Sequence, residues 1–353
     1  MTISHEVNSR IEIQKQLTSN FIDWDLVVKV STSHYVFTAL YCNLKRANFL
    51  HYLPEELVAY MANITDINRE RNLKIIMQAK ELNTLLLAKQ IKPIFLKGTA
   101  NLLAGTYEDI AERMVGDIDF IFSKEDYPKA INILKLNGYY EVEKNDYYFP
   151  DKIHYRRLKK DNNIAALEIH HEILEIKKYR KEFNYSVVEK NCQVIDKVRI
   201  LSYANKLNLS IIAYQINDSG VKYKTIALRN AYDVFLLSKK TNAKVAVNNL
   251  DELNYPLNYF LAVCYELFNK ASSLEYNVNE KTAAYLCSFK NQLTRTKATK
   301  IKHKWIQIYL FLKTRLEIIY KSILYKEYRV WFFKRVTDIN WYKEKLAQLG
   351  LKK

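Results

Sequence analysis

The sequence predicts an α-rich α+β fold, a small mixed sheet flanked by helical segments, and three observations lead there. The 353 residues include only six Gly and five Pro, too little turn-forming material for a many-stranded sandwich or barrel. Apolar residues recur at spacings of three and four on both sides of a central stretch, the period of amphipathic helices. Short β-favouring runs are confined to that stretch. Hydrophobic residues at 49% and charged residues at 26% belong to a globular chain rather than a disordered or fibrous one. The length suits one or two domains with a sizeable core.

Residues 1–91 read as helices. The clearest begins at Pro54, a good first helical residue, with Glu55 and Glu56 at the positive end of its dipole. Leu57, Tyr60, Met61 and Ile64 form its apolar stripe, and the pattern runs to about Lys89. Lys92-Pro93-Ile94-Phe95-Leu96 is a short buried strand ended by Lys97-Gly98, and a new element opens at Thr99. Four of the six glycines, Gly98, Gly105, Gly116 and Gly138, fall within residues 98–138, which concentrates special backbone geometry there. Asp117–Phe122 is a strand; Ser123 is a helix N-cap with Asp126 as its capping-box partner, and that helix ends at Asn137-Gly138. Residues 139–149 and 152–159 are extended, and the turn Lys160–Asn163 joins the latter to a strand over Ile164–His171 as a hairpin. Helical segments return near 200–216, 224–239, 255–270 and 301–333. The expected organisation is a helical region over 1–91, a sheet core over 92–195, a helical region over 196–290 that completes the cleft, and a basic helical tail over 291–353.

The net charge of +17 favours an anionic partner: nucleotide, nucleic acid or acidic membrane surface. Residues 291–353 hold 16 Lys and Arg against four acids, a net of +12. There Lys302, Lys304, Trp305, Lys313, Arg315, Arg329, Trp331 and Arg335 mix cations with aromatics. Such a segment can bind RNA or an anionic membrane surface, or pack its aromatics inward. Cys42, Cys192, Cys264 and Cys287 form no C-x-x-C pair, so neither a zinc ribbon nor a redox dithiol is expected. The first residues lack the pattern of a signal peptide, and no uncharged apolar run reaches about 18 residues. A cytoplasmic location without an integral span is therefore expected, with peripheral membrane contact open through the tail.

Asp117 and Asp119, two apart on a strand, point to one face, and Glu168 supplies a third acid from another strand. Carboxylates gathered on one face suit Mg²⁺, a hard ion that prefers oxygen. Gly98-Thr99, opening a helix after a strand, offers backbone N–H groups and a hydroxyl to phosphate. Arg113 is either a bidentate phosphate ligand or a surface arginine, and Lys97 either neutralises phosphate or caps a strand. His170 shares the face of Glu168, and His154 falls opposite residue 169 or 170 across the hairpin; either could orient a base or touch substrate. His171 faces the other way. Arg229 and Asp233 are neighbours on a helix, as a surface ion pair or as part of a cleft.

At these residues the sequence resembles the nucleotidyltransferase superfamily of DNA-polymerase-β type. It is more closely similar to a bacterial branch whose pattern is L-K-G, a Tyr, an Arg, D-h-D (h, hydrophobic) and E-h-H. Here the pattern reads Leu96-Lys97-Gly98, Tyr107, Arg113, Asp117-Ile118-Asp119 and Glu168-Ile169-His170. The resemblance covers roughly residues 35–285, with its motif core at 94–171. It implies that Gly98 and Thr99 hold triphosphate, that Asp117 and Asp119 bind metal, and that Glu168 completes the metal site or acts as base. The common superfamily form has Gly-Gly or Gly-Ser where this chain has Gly98-Thr99, and a shorter gap than the 17 residues between Thr99 and Asp117; the branch shares both departures. The implied reaction moves NMP from an NTP such as ATP to an acceptor and releases pyrophosphate, with two Mg²⁺, or Mn²⁺ in their place. The acceptor could be a small molecule, a glycan, a protein or an RNA. A non-catalytic nucleotide- or RNA-binding module of the same fold, or a membrane-surface protein acting through its tail, is the alternative; the three retained acids favour the enzyme.

Overall fold

The computed structural model describes residues 1–19, 21–142 and 147–348, with side chains to residue 343. The chain forms two compact units, one from residues 1–142 and 153–291, the other from 143–152 and 292–353. Parts of the extended segment (143–146) and of the basic tail (349–353) lie outside the described residues.

The first unit is built on one mixed sheet of seven short strands: β1 (Ile94–Phe95), β2 (Asp117–Ile121), β3 (Tyr140–Glu141), β4 (Leu158–Lys159), β5 (Ala166–His170), β6 (Gln193–Ile195) and β7 (Val198–Ile200). Their order is β3-β4-β5-β2-β1-β7-β6. The two central neighbours, β2 and β5, run parallel with Asp119 opposite Glu168. The helix Asp126–Leu136 lies within the connection between them. Phe95, Phe120 and Phe122 pack edge to face, with centroids 5.7 and 5.3 Å apart, and each is fully buried. That geometry gives the sheet an apolar face able to oppose the helices. The residue between each pair of core positions on β2 and β5 turns to the other face, the one that carries the acids.

Several local expectations shift. Pro54 stands before the long helix Glu55–Leu87 in an extended conformation (φ −55°, ψ 136°) rather than inside it. The Ser123 hydroxyl accepts the Asp126 N–H at 3.1 Å. The Asp126 carboxylate faces Lys129 instead of completing the box. Of the extended segments, among the described residues only Tyr140–Glu141 and Leu158–Lys159 pair as strands: Leu158–Lys159 lies along the β5 edge, and Tyr140–Glu141 lies along Leu158–Lys159. The expected helix over 301–333 is two, Thr296–Leu324 and Lys326–Thr337, broken where Tyr325 turns extended. The segment near 224–239 becomes helical only from Leu228 to Ser238.

The long helix buries polar side chains among its apolar ones, and these grip loops. Asn72 Nδ2 donates to the carbonyls of Ile110 and Arg113 (2.6 and 2.7 Å). Asn68 Nδ2 donates to that of Ala111 (2.8 Å). Gln78 donates to the Ala165 carbonyl and accepts its N–H (3.0 and 3.1 Å). The segments entering β2 and β5 are thus pinned to one rod. A second buried network lies against the helix Leu228–Ser238. Asp233 accepts from the Tyr107 hydroxyl (2.7 Å) and from Arg113 Nε (3.0 Å), and both side chains of the ion pair are almost wholly buried. Gly98 fits beside this network because it lacks a side chain: a Cβ there would stand 2.9 Å from Val115 Cγ2.

Lys206 is buried at 2% exposure, its Nζ has no hydrogen-bond partner among the described residues, and it lies 4.4 Å from the Tyr203 ring centre. Burial lowers its pKa from 10.5 to about 8. A base whose folded-state pKa is depressed gains stability as pH rises between those values. Lys206→Met is therefore expected to raise the melting temperature at pH 7, with the advantage shrinking between pH 8 and 10.5; thermal melts across that range measure it. For the buried ion pair, Arg113→Met is expected to cost about 3–5 kcal/mol by leaving Asp233 uncompensated, measured by denaturant unfolding without nucleotide or metal.

Candidate active site

The site starts from the register of two strands. Because Asp119 stands opposite Glu168 in the parallel pair, both project on one face, with Asp117 and His170 two residues away along their own strands. Three carboxylates so close repel one another, and the fold answers with cations. Lys97 Nζ donates to Asp119 Oδ1 at 2.6 Å and approaches Glu168 Oε2 at 3.4 Å. Lys97 adopts φ +50°, a left-handed conformation uncommon for a residue with a side chain. Arg157 Nη2 and Nε donate to Glu168 Oε1 (2.6 and 2.8 Å), and Nη2 also reaches Asp117 Oδ2 (3.2 Å). His170 Nε2 lies 3.0 Å from Asp119 Oδ1 and 3.7 Å from Glu168 Oε2.

These partners divide the acids electrostatically. Burial alone would raise the Glu168 carboxyl, but His170, Lys97 and Arg157 outweigh it and hold the group well below the usual carboxylate range. Asp117 moves the other way: burial and the like charges of Glu168 and Asp119 outweigh Arg157 and raise it. Lys97 is pushed up, since the attraction of Asp119 and Glu168 exceeds its own desolvation.

Asp119, Glu168 and His170 each offer one donor atom, all within 4.8 Å of one another. Two carboxylates and an imidazole suit a divalent cation. Lys97 approaches both carboxylates, so an entering metal competes with its ammonium. Asp117 lies beside this group, tied to Arg157.

The expected residues fall into two sets. Lys97, Asp117, Asp119, Glu168 and His170 come together, and His154 joins them through a bridge to His170, with ring centres 5.4 Å apart. Arg113 and Asp233 instead form the buried pair with Tyr107, away from solvent. Of the two readings of Arg229 and Asp233, the surface ion pair does not form, because Arg113 holds the Asp233 carboxylate. Arg229 lies 5.1 Å from the Tyr35 ring centre, and among the described residues it has no salt-bridge partner. Burial and the like charge of Arg113 lower its pKa, against the pull of Asp233. Thr99 is buried, its hydroxyl donating to the Asp117 carbonyl at 3.1 Å, and Gly98 is buried against Val115 and Arg113. His171 does face the other way, 5.0 Å from the Tyr127 ring.

Sequence reading missed Arg157. The signal was the hairpin register: Leu158 opposite Leu167 sets Arg157 against Glu168 in an antiparallel pair. His154 opposite His170 implies one extra residue on the β4 side between the two pairings, which no local pattern announces.

A comparison with curated proteins finds no match. Among solved structures the chain is similar to the crystal structure of JHP933 from Helicobacter pylori, at 16% identity and a TM-score of 0.29, over 69% of this chain and 95% of that one. A family model described as an uncharacterised nucleotidyltransferase matches residues 20–272, a span that contains every strand of the sheet and the whole acid cluster. The chain belongs to this nucleotidyltransferase family.

Proposed function

We propose that the protein is a metal-dependent nucleotidyltransferase that moves NMP from an NTP, such as ATP, to an acceptor hydroxyl or similar group. The observation that carries this reading is the cluster of Asp119, Glu168 and His170, with Asp117 beside it, in a chain of nucleotidyltransferase family. In the reaction the acceptor oxygen bonds the α-phosphorus, the bond to the β-phosphate oxygen breaks, and pyrophosphate leaves. Asp119, Glu168 and His170 would hold a divalent cation, Mg²⁺ or Mn²⁺, with Asp117 supplying a further oxygen if two ions bind. Such a cation, when bound, neutralises phosphate charge and polarises the phosphoryl oxygen.

The chain's own residues supply the rest. Glu168, with cations on its oxygens, is a weak proton acceptor and suits ligation. Asp117, only partly buried and held at one oxygen by Arg157, supplies a ligand oxygen where two ions bind and accepts the proton of the incoming group where only one does. Lys97 and Arg157 keep the acids compensated before substrate arrives, and both can turn to phosphate when a metal replaces them. Arg229, with no salt-bridge partner among the described residues, is the better phosphate ligand of the two arginines carried by the resemblance, since Arg113 is already paired with Asp233. Thr99 and Gly98 act by setting the start of β2 and the close approach of the 113–115 segment, so that backbone N–H groups, rather than the Thr99 hydroxyl, face the triphosphate.

Incubation with each α-labelled NTP and Mg²⁺ in host lysate is expected to label one acceptor fraction. Asp119→Asn is expected to reduce labelling by about 100-fold or more while the protein still melts cooperatively; wild-type labelling by a folded Asp119→Asn variant would refute the metal assignment. Lys97→Met removes the cation that competes for the acids. It is expected to lower the metal-free melting temperature and to tighten Mn²⁺ binding several-fold, as read by electron paramagnetic resonance of free Mn²⁺. Unchanged Mn²⁺ affinity would show that Lys97 does not compete with the ion.

A further inference from the structure

The second unit carries an exposed feature that nucleotidyl transfer does not use. On the helix Thr296–Leu324, Ile301, Trp305, Ile308, Leu312, Ile319 and Ile323 follow at steps of four, three, four, seven and four, the repeat of a single helix face. All six are exposed, from 39% at Ile308 to 68% at Ile323. Leu316 fills the middle of the row, itself 66% exposed. From Ile301 to Ile323 the stripe covers 23 residues, about 33 Å from end to end. The unit packs through a different face of this helix: Ile318 and Ser322 are buried, Ser322 Oγ donates to the Tyr328 carbonyl (3.3 Å), and Lys321 pairs with Asp151 (2.9 Å). The apolar row is therefore not the seam that holds the unit together.

Charge says what should cover it. By helical geometry, Lys297, Lys304 and Arg315 run along one border of the stripe, and Lys302 and Lys313 along the other. None of the five has an acidic partner among the described residues. The helix's single acid, Glu317, lies beyond Lys313 and pairs with Lys321. A second copy laid face to face would bring like charges together on both borders. An RNA site needs cations and stacking rings at its centre, whereas this centre is mostly branched aliphatic, with Tyr309 and Tyr320 toward one border. Apolar centre, cationic borders and aromatics between them match the layers of a bilayer surface: acyl chains, then glycerol, then anionic headgroups. No helix among the described residues is long and apolar enough to cross a membrane, which fits a helix lying in the interface plane.

We propose that the helix Thr296–Leu324 docks the protein on an anionic lipid bilayer, its Ile301–Ile323 stripe in the acyl boundary and its flanking lysines and arginines on the headgroups.

The test uses the full chain and vesicles of phosphatidylcholine with or without phosphatidylglycerol. The expected result is co-sedimentation with the anionic vesicles, weakened by added salt, and quenching of tryptophan fluorescence by brominated acyl chains that falls in Trp305→Phe. Lys302→Glu with Lys313→Glu is expected to lower partitioning onto anionic vesicles by about tenfold or more. Leu312→Glu with Leu316→Glu is expected to abolish it. All four positions are exposed, so the melting curves should match wild type and a loss of binding reports the surface itself. The proposal is overturned if neither vesicle binds, if both bind alike, or if the Leu312→Glu, Leu316→Glu variant binds as wild type. It is equally overturned if the protein is a dimer in light scattering that this variant makes monomeric, or if the variant loses single-stranded RNA binding in a protein that ignores vesicles.

Discussion

The parallel pairing of β2 with β5 is the constraint on which the site depends. Register sets Asp119 opposite Glu168, and alternation along each strand brings Asp117 and His170 to the same face. A shift of one residue would exchange these side chains with Phe120 and Ile169, burying acids in the core and exposing the aromatic packing. The apolar face and the chemical face are thus fixed by the same register, and neither can be moved without the other. The long helix Glu55–Leu87 guards it by holding the segments that enter both strands through Asn68, Asn72 and Gln78.

Gathering acids in this way has an electrostatic cost, which the fold meets locally. Lys97 from the end of β1 and Arg157 from the segment before β4 approach the carboxylates from two sides. The arrangement leaves the acids compensated yet exchangeable, because Arg157 is half exposed and Lys97 a third exposed. The second charge network differs. Arg113, Asp233 and Tyr107 are buried together and nearly closed to solvent, which suits a strut between the segment before β2 and the helix Leu228–Ser238. The family motif therefore serves two purposes, one half forming the acid cluster and the other fixing the scaffold that presents it.

The tail has its own logic. Its helices bury few side chains for their length, while aromatic contacts such as Phe149 with Trp331, 5.0 Å between centres, organise the unit and leave a long face uncovered. A soluble surface seldom leaves so regular an apolar row open, and the cationic borders give that row a chemical direction.

The sequence by itself determined the fold class, the acid-bearing strands, the helices at both ends and the identity of the acids. These depend on local periodicity and on residue chemistry, which are written along the chain. Only the tertiary structure decided who partners whom. Asp233 pairs with Arg113, 120 residues away in sequence, instead of its helical neighbour Arg229, since a buried carboxylate takes the cation that packing delivers to it. Arg157 enters the site through a register set by one extra residue between His154 and Leu158. The Thr99 hydroxyl, buried beside the Asp117 carbonyl, donates to it and so braces the start of β2. Lys97 reaches the acids through a left-handed backbone that no propensity favours. Spacing along a chain fixes which face a side chain takes within one element, whereas its partner across elements depends on packing and desolvation, which exist only once the core has closed.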